Sequence, residues 1–183
     1  MPTAPLPDPA LVVLAGAAGS GKSTWAAARY RAVEIVASDA LRGIVGSGPA
    51  DLDASQDAFD LLDRIVAARA GRGLTTVVDT LGLDDARRAA HLRLARSAGL
   101  AAVLVVLDTP AALCRERNRG RDRPVPAAAL TGQLRRVRGL AAAAAEEGWD
   151  RVVVVGGDPG VGGVAAVPAS SASDARELRI SSD

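Results

Sequence analysis

The 183-residue chain is 49% hydrophobic and 23% charged, with a formal net charge of +1 at pH 7. That length allows one ordinary domain with a short extension and a core large enough to need no disulfide or structural metal. A single cysteine (Cys114) and a single histidine (His91) exclude a disulfide framework and the usual zinc ligand sets, and a charge so near zero does not by itself point to a nucleic-acid partner.

Residues 1–10 hold four prolines and read as a disordered lead-in. They lack the charged and apolar regions of a signal peptide, and no apolar run approaches the roughly 18 residues that span a bilayer, so the expectation is a cytoplasmic protein without a membrane partner. Apolar runs of strand length then alternate with helical patterns. Strands are expected at 11–15, 33–37, 74–79, 101–107 and 151–155, and helices at 22–31, 54–71, 84–98, 110–118 and 127–147. The strands are continuously apolar, as in a sheet covered on both faces, and the alternation implies parallel crossovers. The expectation is an α/β domain over 11–157, three layers α/β/α, with a five-stranded, mainly parallel sheet. Residues 158–183, rich in Gly, Ala, Ser, Val and Asp, read as a linker-like tail that could lead to a further domain, with Arg176–Ile180 as the start of another strand.

Aromatic residues make up only 2% (Trp25, Tyr30, Phe59 and Trp149), so the core must be built from Ala, Val and Leu. Of the 22 basic residues, 21 are arginines, and the one lysine is Lys22. Arginine does not replace lysine where a compact ammonium is required. Lys22 lies in Gly16-Ala-Ala-Gly-Ser-Gly21-Lys22-Ser23, which meets every specified position of G-x-x-x-x-G-K-[ST] between a strand and a helix. In such a loop the backbone N–H groups form an anion nest, the lysine bridges the β- and γ-phosphates, and the serine hydroxyl ligates Mg²⁺. Gly16, Ala17, Ala18, Gly19, Ser20, Gly21, Lys22, Ser23 and Thr24 are therefore the expected site for a nucleoside triphosphate.

Catalytic groups of a parallel sheet collect at the carboxyl ends of its strands. After the second strand, Asp39 is placed to accept the proton of a hydroxyl in line with the γ-phosphate, and Arg42, one helical turn on, to hold an anionic group of the acceptor. Asp79 ends the third strand and Asp108 the fourth. Either suits the metal side of the site; Asp79 is favoured. Between residues 115 and 138 there are eight arginines against two acids, a local +6, with Gly120 inside and Pro124 and Pro126 following. That pattern suits a helix breaking into a mobile, arginine-rich lid that closes over ATP. His91, among arginines, reads as a surface residue, Cys114 as a small buried thiol, and Trp149 as packing.

Taken together, the phosphate loop, Ser-Asp-x-x-Arg at 38–42, Asp57-Ala-Phe-Asp-Leu-Leu, Thr-Val-Val-Asp79, Cys-Arg-Glu-Arg-Asn at 114–118 and Arg-Pro-Val-Pro at 123–126 resemble the kinase module of bacterial polynucleotide kinase-phosphatases. The resemblance runs from about Leu11 to Val155. It implies a P-loop kinase fold that moves the ATP γ-phosphate to the 5′-OH of DNA or RNA. It further implies Lys22 and Ser23 on phosphate and Mg²⁺, Asp39 as general base, Arg42 on the acceptor's phosphate, and Arg121, with Arg117 behind it, as the lid arginine on ATP. Two departures fall on the acceptor side. The family's Asp-Ala-Thr-Asn is here Asp79-Thr-Leu-Gly82, which loses an amide, and a Gln before the next helix is replaced near Leu52. They leave open a small-molecule or nucleoside kinase on the same scaffold, or an ATP-sensing regulatory module of a larger fused protein.

Overall fold

Alternating apolar residues on one strand supply two opposite faces, so a strand apolar at every position is stable only between two helical layers. The computed structural model, which describes residues 5–156 and the strand at 164–167, has that arrangement. Its strands are β1 (Ala10–Ala15), β2 (Ile35–Ala37), β3 (Thr76–Asp79), β4 (Ala101–Asp108), β5 (Arg151–Gly156) and β6 (Val164–Val167). Their order in the sheet is β2-β3-β1-β4-β5-β6. The first five are mutually parallel, with Val12 opposite Val77 and Val103, and Val105 opposite Val153. The expected five-stranded parallel α/β/α core is present.

The helices are α1 (Lys22–Ala27), α2 (Ser38–Val45), α3 (Ser55–Ala70), α4 (Asp85–Ser97), α5 (Ala111–Arg119), α6 (Ala127–Val137) and α7 (Leu140–Ala145). Leu11, Val13 and Leu104 pack against Leu62 and Val66 of α3, Leu92 of α4, Leu130 of α6 and Leu140 of α7. On the other face Val12, Leu14, Val103 and Val105 pack against Trp25 and Ala26 of α1. Cys114 and Trp149 are buried as expected. Among the described residues no helix is long and apolar enough to cross a membrane.

Several expectations need correction. The sheet has a sixth strand: β6, inside the stretch expected as a linker-like tail, pairs antiparallel with β5 (Val152 opposite Val167). Val-Ala-Ala-Val at 164–167 is a strand run hidden by its Gly- and Ser-rich surroundings. The lead-in is anchored from Pro5 onward, because Leu6 packs on the second core, Asp8 accepts a hydrogen bond from Thr75, and Arg151 donates to the Pro5 carbonyl at 2.9 Å. The helix expected over 127–147 is two helices, since Arg138 is extended and Gly139 adopts φ +79°. The break in the arginine segment is a turn closed by Asn118, whose amide donates to the Val125 carbonyl and accepts from the Val125 N–H, both at 2.9 Å. His91 is buried rather than on the surface. It shares the inward side of α4 with Arg88, Leu92 and Ala95, a spacing that outweighs its polar sequence neighbours. Residues 1–4, and the expected linker and strand at 168–180, lie outside the described residues.

Candidate nucleotide and phosphoryl-transfer site

The sheet's connections reverse direction at β1, which runs out toward β3 and β2 on one side and β4 and β5 on the other. The crevice at such a reversal is where open α/β sheets bind ligands, and the phosphate loop leaves β1 there. Gly19 (φ +78°) and Gly21 (φ +89°) take left-handed conformations that glycine adopts without strain. A Cβ on Gly19 would also stand 2.7 Å from the Cys114 carbonyl oxygen, so α5 packs directly on the loop. Thr109 Oγ1 donates to the Ser20 carbonyl (2.8 Å), and Arg117 Nη1 donates to the Gly19 carbonyl (3.4 Å).

Lys22 Nζ donates to the carbonyls of Gly16 and Ala17, both at 2.9 Å, and lies 3.5 Å from Ser20 Oγ. Burial pulls its ammonium down to about 8, against the fields of Asp79 and Asp39, which favour the charged form. Arg121 adds a small field that opposes the charge. An anion in the loop would relieve the strain of this desolvated cation.

Ser23 Oγ donates to Asp79 Oδ2 at 2.7 Å. Burial pushes the Asp79 carboxyl up, with the Ser23 hydrogen bond and the Lys22 charge pulling the other way. Asp108 is exposed and lines a cavity of about 320 Å³ beside the loop with Ala17, Thr109, Cys114, Leu134 and Arg138. The structure therefore pairs Asp79, not Asp108, with the loop serine. A hydroxyl and a carboxylate are hard oxygen donors of the kind Mg²⁺ takes. Among the described residues no group of three His, Cys, Asp or Glu could hold a metal alone.

On the acceptor side Ala37 pairs with Asp79, which brings the start of α2 beside the loop. Asp39 is exposed there and forms an ion pair with Arg42, whose Nε also donates to the Pro49 carbonyl at 3.0 Å. Ile44 (72% exposed), Leu52 (74%) and Leu81 (42%) are open to solvent in the same segments. Position 82 has no room for a side chain. Gly82 has φ +62°, and a Cβ there would fall on the Leu14 carbonyl oxygen and 2.8 Å from Ala15 Cα. Its neighbour Leu81 accepts from the Gly16 N–H at 3.0 Å, so the turn after β3 braces the first residue of the phosphate loop.

Three contacts on this site escaped the sequence reading. The Leu81 carbonyl holds Gly16. Arg88, on α4, donates to the Gly82 carbonyl (2.9 Å) and is held by Glu147 and Asp85. Gln133, on α6, accepts from the Ala18 N–H at 2.9 Å. Leu81 and Gln133 have no local signal, because each meets a loop residue remote in the chain, and Arg88, close in sequence to Gly82 and Asp85, also depends on the distant Glu147.

A family model described as an AAA domain matches residues 11–155. The chain belongs to this AAA-domain family. A comparison with curated proteins finds no match. Among solved structures, the chain is similar to one from the PezAT chromosomal toxin–antitoxin system of Streptococcus pneumoniae, at 15% identity over 81% of this chain and 67% of that one (TM-score 0.51). It is also similar to the tunicamycin resistance protein of Deinococcus radiodurans, at 19% identity over 71% of this chain and 80% of that one (TM-score 0.47). This member of the AAA-domain family has an α/β fold of the P-loop kinase-like kind.

Proposed function

We propose that the protein is an ATP- and Mg²⁺-dependent kinase that moves the γ-phosphate to a hydroxyl held at Asp39. The observation that carries this reading is the convergence of Lys22, the Ser23–Asp79 pair and Asp39 at the carboxyl ends of β1, β3 and β2. A loop that only sensed ATP would need no carboxylate on the acceptor side. Within residues 16–24 the backbone N–H groups other than those of Gly16, Ala18 and Ser20, which donate to Leu81, Gln133 and Ala17, cradle the phosphates, and Lys22 sets its charge on the β- and γ-phosphates. Ser23 and Asp79 would hold Mg²⁺, which would supply neutralisation of charge on the phosphate oxygens. Asp39 orients the acceptor hydroxyl and takes its proton, and Arg121, with Arg117 behind it, places positive charge on the transferring group.

The sequence resemblance favours the 5′-OH of a nucleic acid as acceptor, with Arg42 on its phosphate. A small hydroxylated molecule is the second reading, supported by three features of the acceptor side. Arg42 is already engaged by Asp39 and the Pro49 carbonyl. Residues 38–63 carry six aspartates (Asp39, Asp51, Asp53, Asp57, Asp60 and Asp63) and Arg42 as their one basic residue, a poor setting for a polyanion. Ile44, Leu52 and Leu81 offer apolar contact instead.

Transfer from γ-labelled ATP to 5′-OH oligonucleotides and to uncharged nucleosides tests both, with Asp39→Asn alongside. Losing the base should cost at least about 10²-fold in transfer and leave ATP binding intact. Label on the oligonucleotide alone establishes the end-directed kinase, and label on nucleosides alone establishes the small-molecule reading. ATP bound with no transfer to either class, and with turnover indifferent to Asp39→Asn, overturns the kinase.

A further inference from the structure

The peptide group joining Ala17 to Ala18 is gripped on both sides. Its carbonyl accepts from Lys22 Nζ at 2.9 Å, and its N–H donates to Gln133 Oε1 at 2.9 Å. In a trans peptide the C=O and N–H point in opposite directions, so fixing one end fixes the other. We infer that Gln133 is a positioning residue of the phosphoryl-transfer site: by taking the Ala18 N–H it locks the 17–18 peptide with its carbonyl toward Lys22, and so holds the lysine's ammonium where the phosphates must meet it. The inference rests on the nucleotide-site reading and adds to it a residue outside the loop.

The chemistry of the donor settles how the amide is turned. A backbone N–H needs an acceptor, and of the two ends of the Gln133 amide only the oxygen accepts. Without that acceptor a half-turn of the peptide would carry the N–H into the nest and turn the Ala17 carbonyl away from Lys22. Ala17 and Ala18 are both buried, and a buried N–H left unpaired costs free energy. α6 is well fixed for this task. Leu130 and Val137 are sunk in the core, and Arg136 donates to the Leu83 carbonyl. Because α6 follows the arginine-rich turn closed by Asn118 and Val125, the segment carrying the proposed lid also carries the brace on the lysine.

Two substitutions separate this role from packing. Gln133→Met keeps the length and loses the acceptor, whereas Gln133→Glu keeps an acceptor oxygen and adds a charge. Lys22 is the only lysine, so the full chain labelled with [6-¹³C]lysine gives one resonance that reports the ammonium's surroundings without assignment. The expected result is that Met at 133 moves this resonance toward that of free lysine and weakens ATP binding about tenfold, with the fold intact by circular dichroism. Glu at 133 should leave the resonance in place and cost less than about threefold. Packing alone predicts the reverse order, with Met benign and Glu harmful. That order overturns the inference, as does a resonance unmoved by either change or displaced equally by both. The resonance reads the brace whether or not ATP binds, so a wild-type chain that ignores ATP refutes the nucleotide site separately from the brace.

Discussion

Gly82 and Gly139 both adopt a left-handed backbone, at φ +62° and +79°, but only one of them is crowded. A Cβ on Gly139 meets nothing within 4 Å, whereas one on Gly82 is driven into the end of β1. Gly139→Ala should therefore cost only the left-handed penalty, about 1–2 kcal/mol. Gly82→Ala carries the same penalty plus the displacement of backbone against backbone, for which overpacked cores give about 1–3 kcal/mol more. At about 2–4 °C per kcal/mol for a chain of this length, the extra cost separates the two variants by about 5 °C in Tm. Gly82→Ala should also push Leu81 off the Gly16 N–H and weaken ATP binding, which Gly139→Ala should leave alone. Thermal unfolding and calorimetric ATP titration of both variants check this. Equal Tm losses, or a Gly82→Ala chain that binds ATP as the wild type does, would refute the view that close approach to β1 excludes an Asn at this position.

Other outcomes follow from the buried polar groups. Burial depresses the His91 imidazole below its ordinary range despite Asp63 at 3.7 Å. Below about pH 6.5 the unfolded chain takes up a proton that the folded chain resists, so this group's contribution to stability falls with pH, by no more than about 1.4 kcal/mol per unit. Urea unfolding at pH 7.5 and 5.5 should show a loss that is smaller in His91→Gln, and identical losses in the two would refute it. Glu147 pairs with Arg88, whose guanidinium is nearly inaccessible, and also accepts from Trp149 Nε1 at 2.8 Å. Glu147→Ala strands most of a buried cation and should cost about 3 kcal/mol in denaturant unfolding, whereas a loss below about 1 kcal/mol would mean Asp85 holds Arg88 alone.

What the sequence makes legible here is what is contiguous in it. The phosphate loop is eight consecutive residues whose glycines, lysine and serine act on one another, and the apolar runs of β1, β4 and β5 declare their burial locally. Choosing Asp79 over Asp108 needed more than that. Both end strands that flank β1, and only the strand order together with the direction of α1 decides which carboxylate meets Ser23. The neighbours of His91 in sequence are arginines, one of which, Arg88, is itself buried; the helical period, not the local polarity, places both inward. At position 82 the chain passes too close to β1 for any side chain, a constraint that no local pattern announces. The brace from Gln133 to Ala18 spans 115 residues, and no periodicity or motif around Leu-Thr-Gly-Gln133 hints at it. These contacts have one cause in common. A phosphate loop needs every backbone N–H and carbonyl turned the right way, and its own eight residues cannot satisfy the groups that face outward. The outward-facing groups of Gly16, Ala18, Gly19 and Ser20 are met by Leu81, Gln133, Arg117 and Thr109, from four separate segments. The loop's chemistry is thus local while its geometry is held by the whole fold, so a matching motif alone does not establish how well Lys22 is placed.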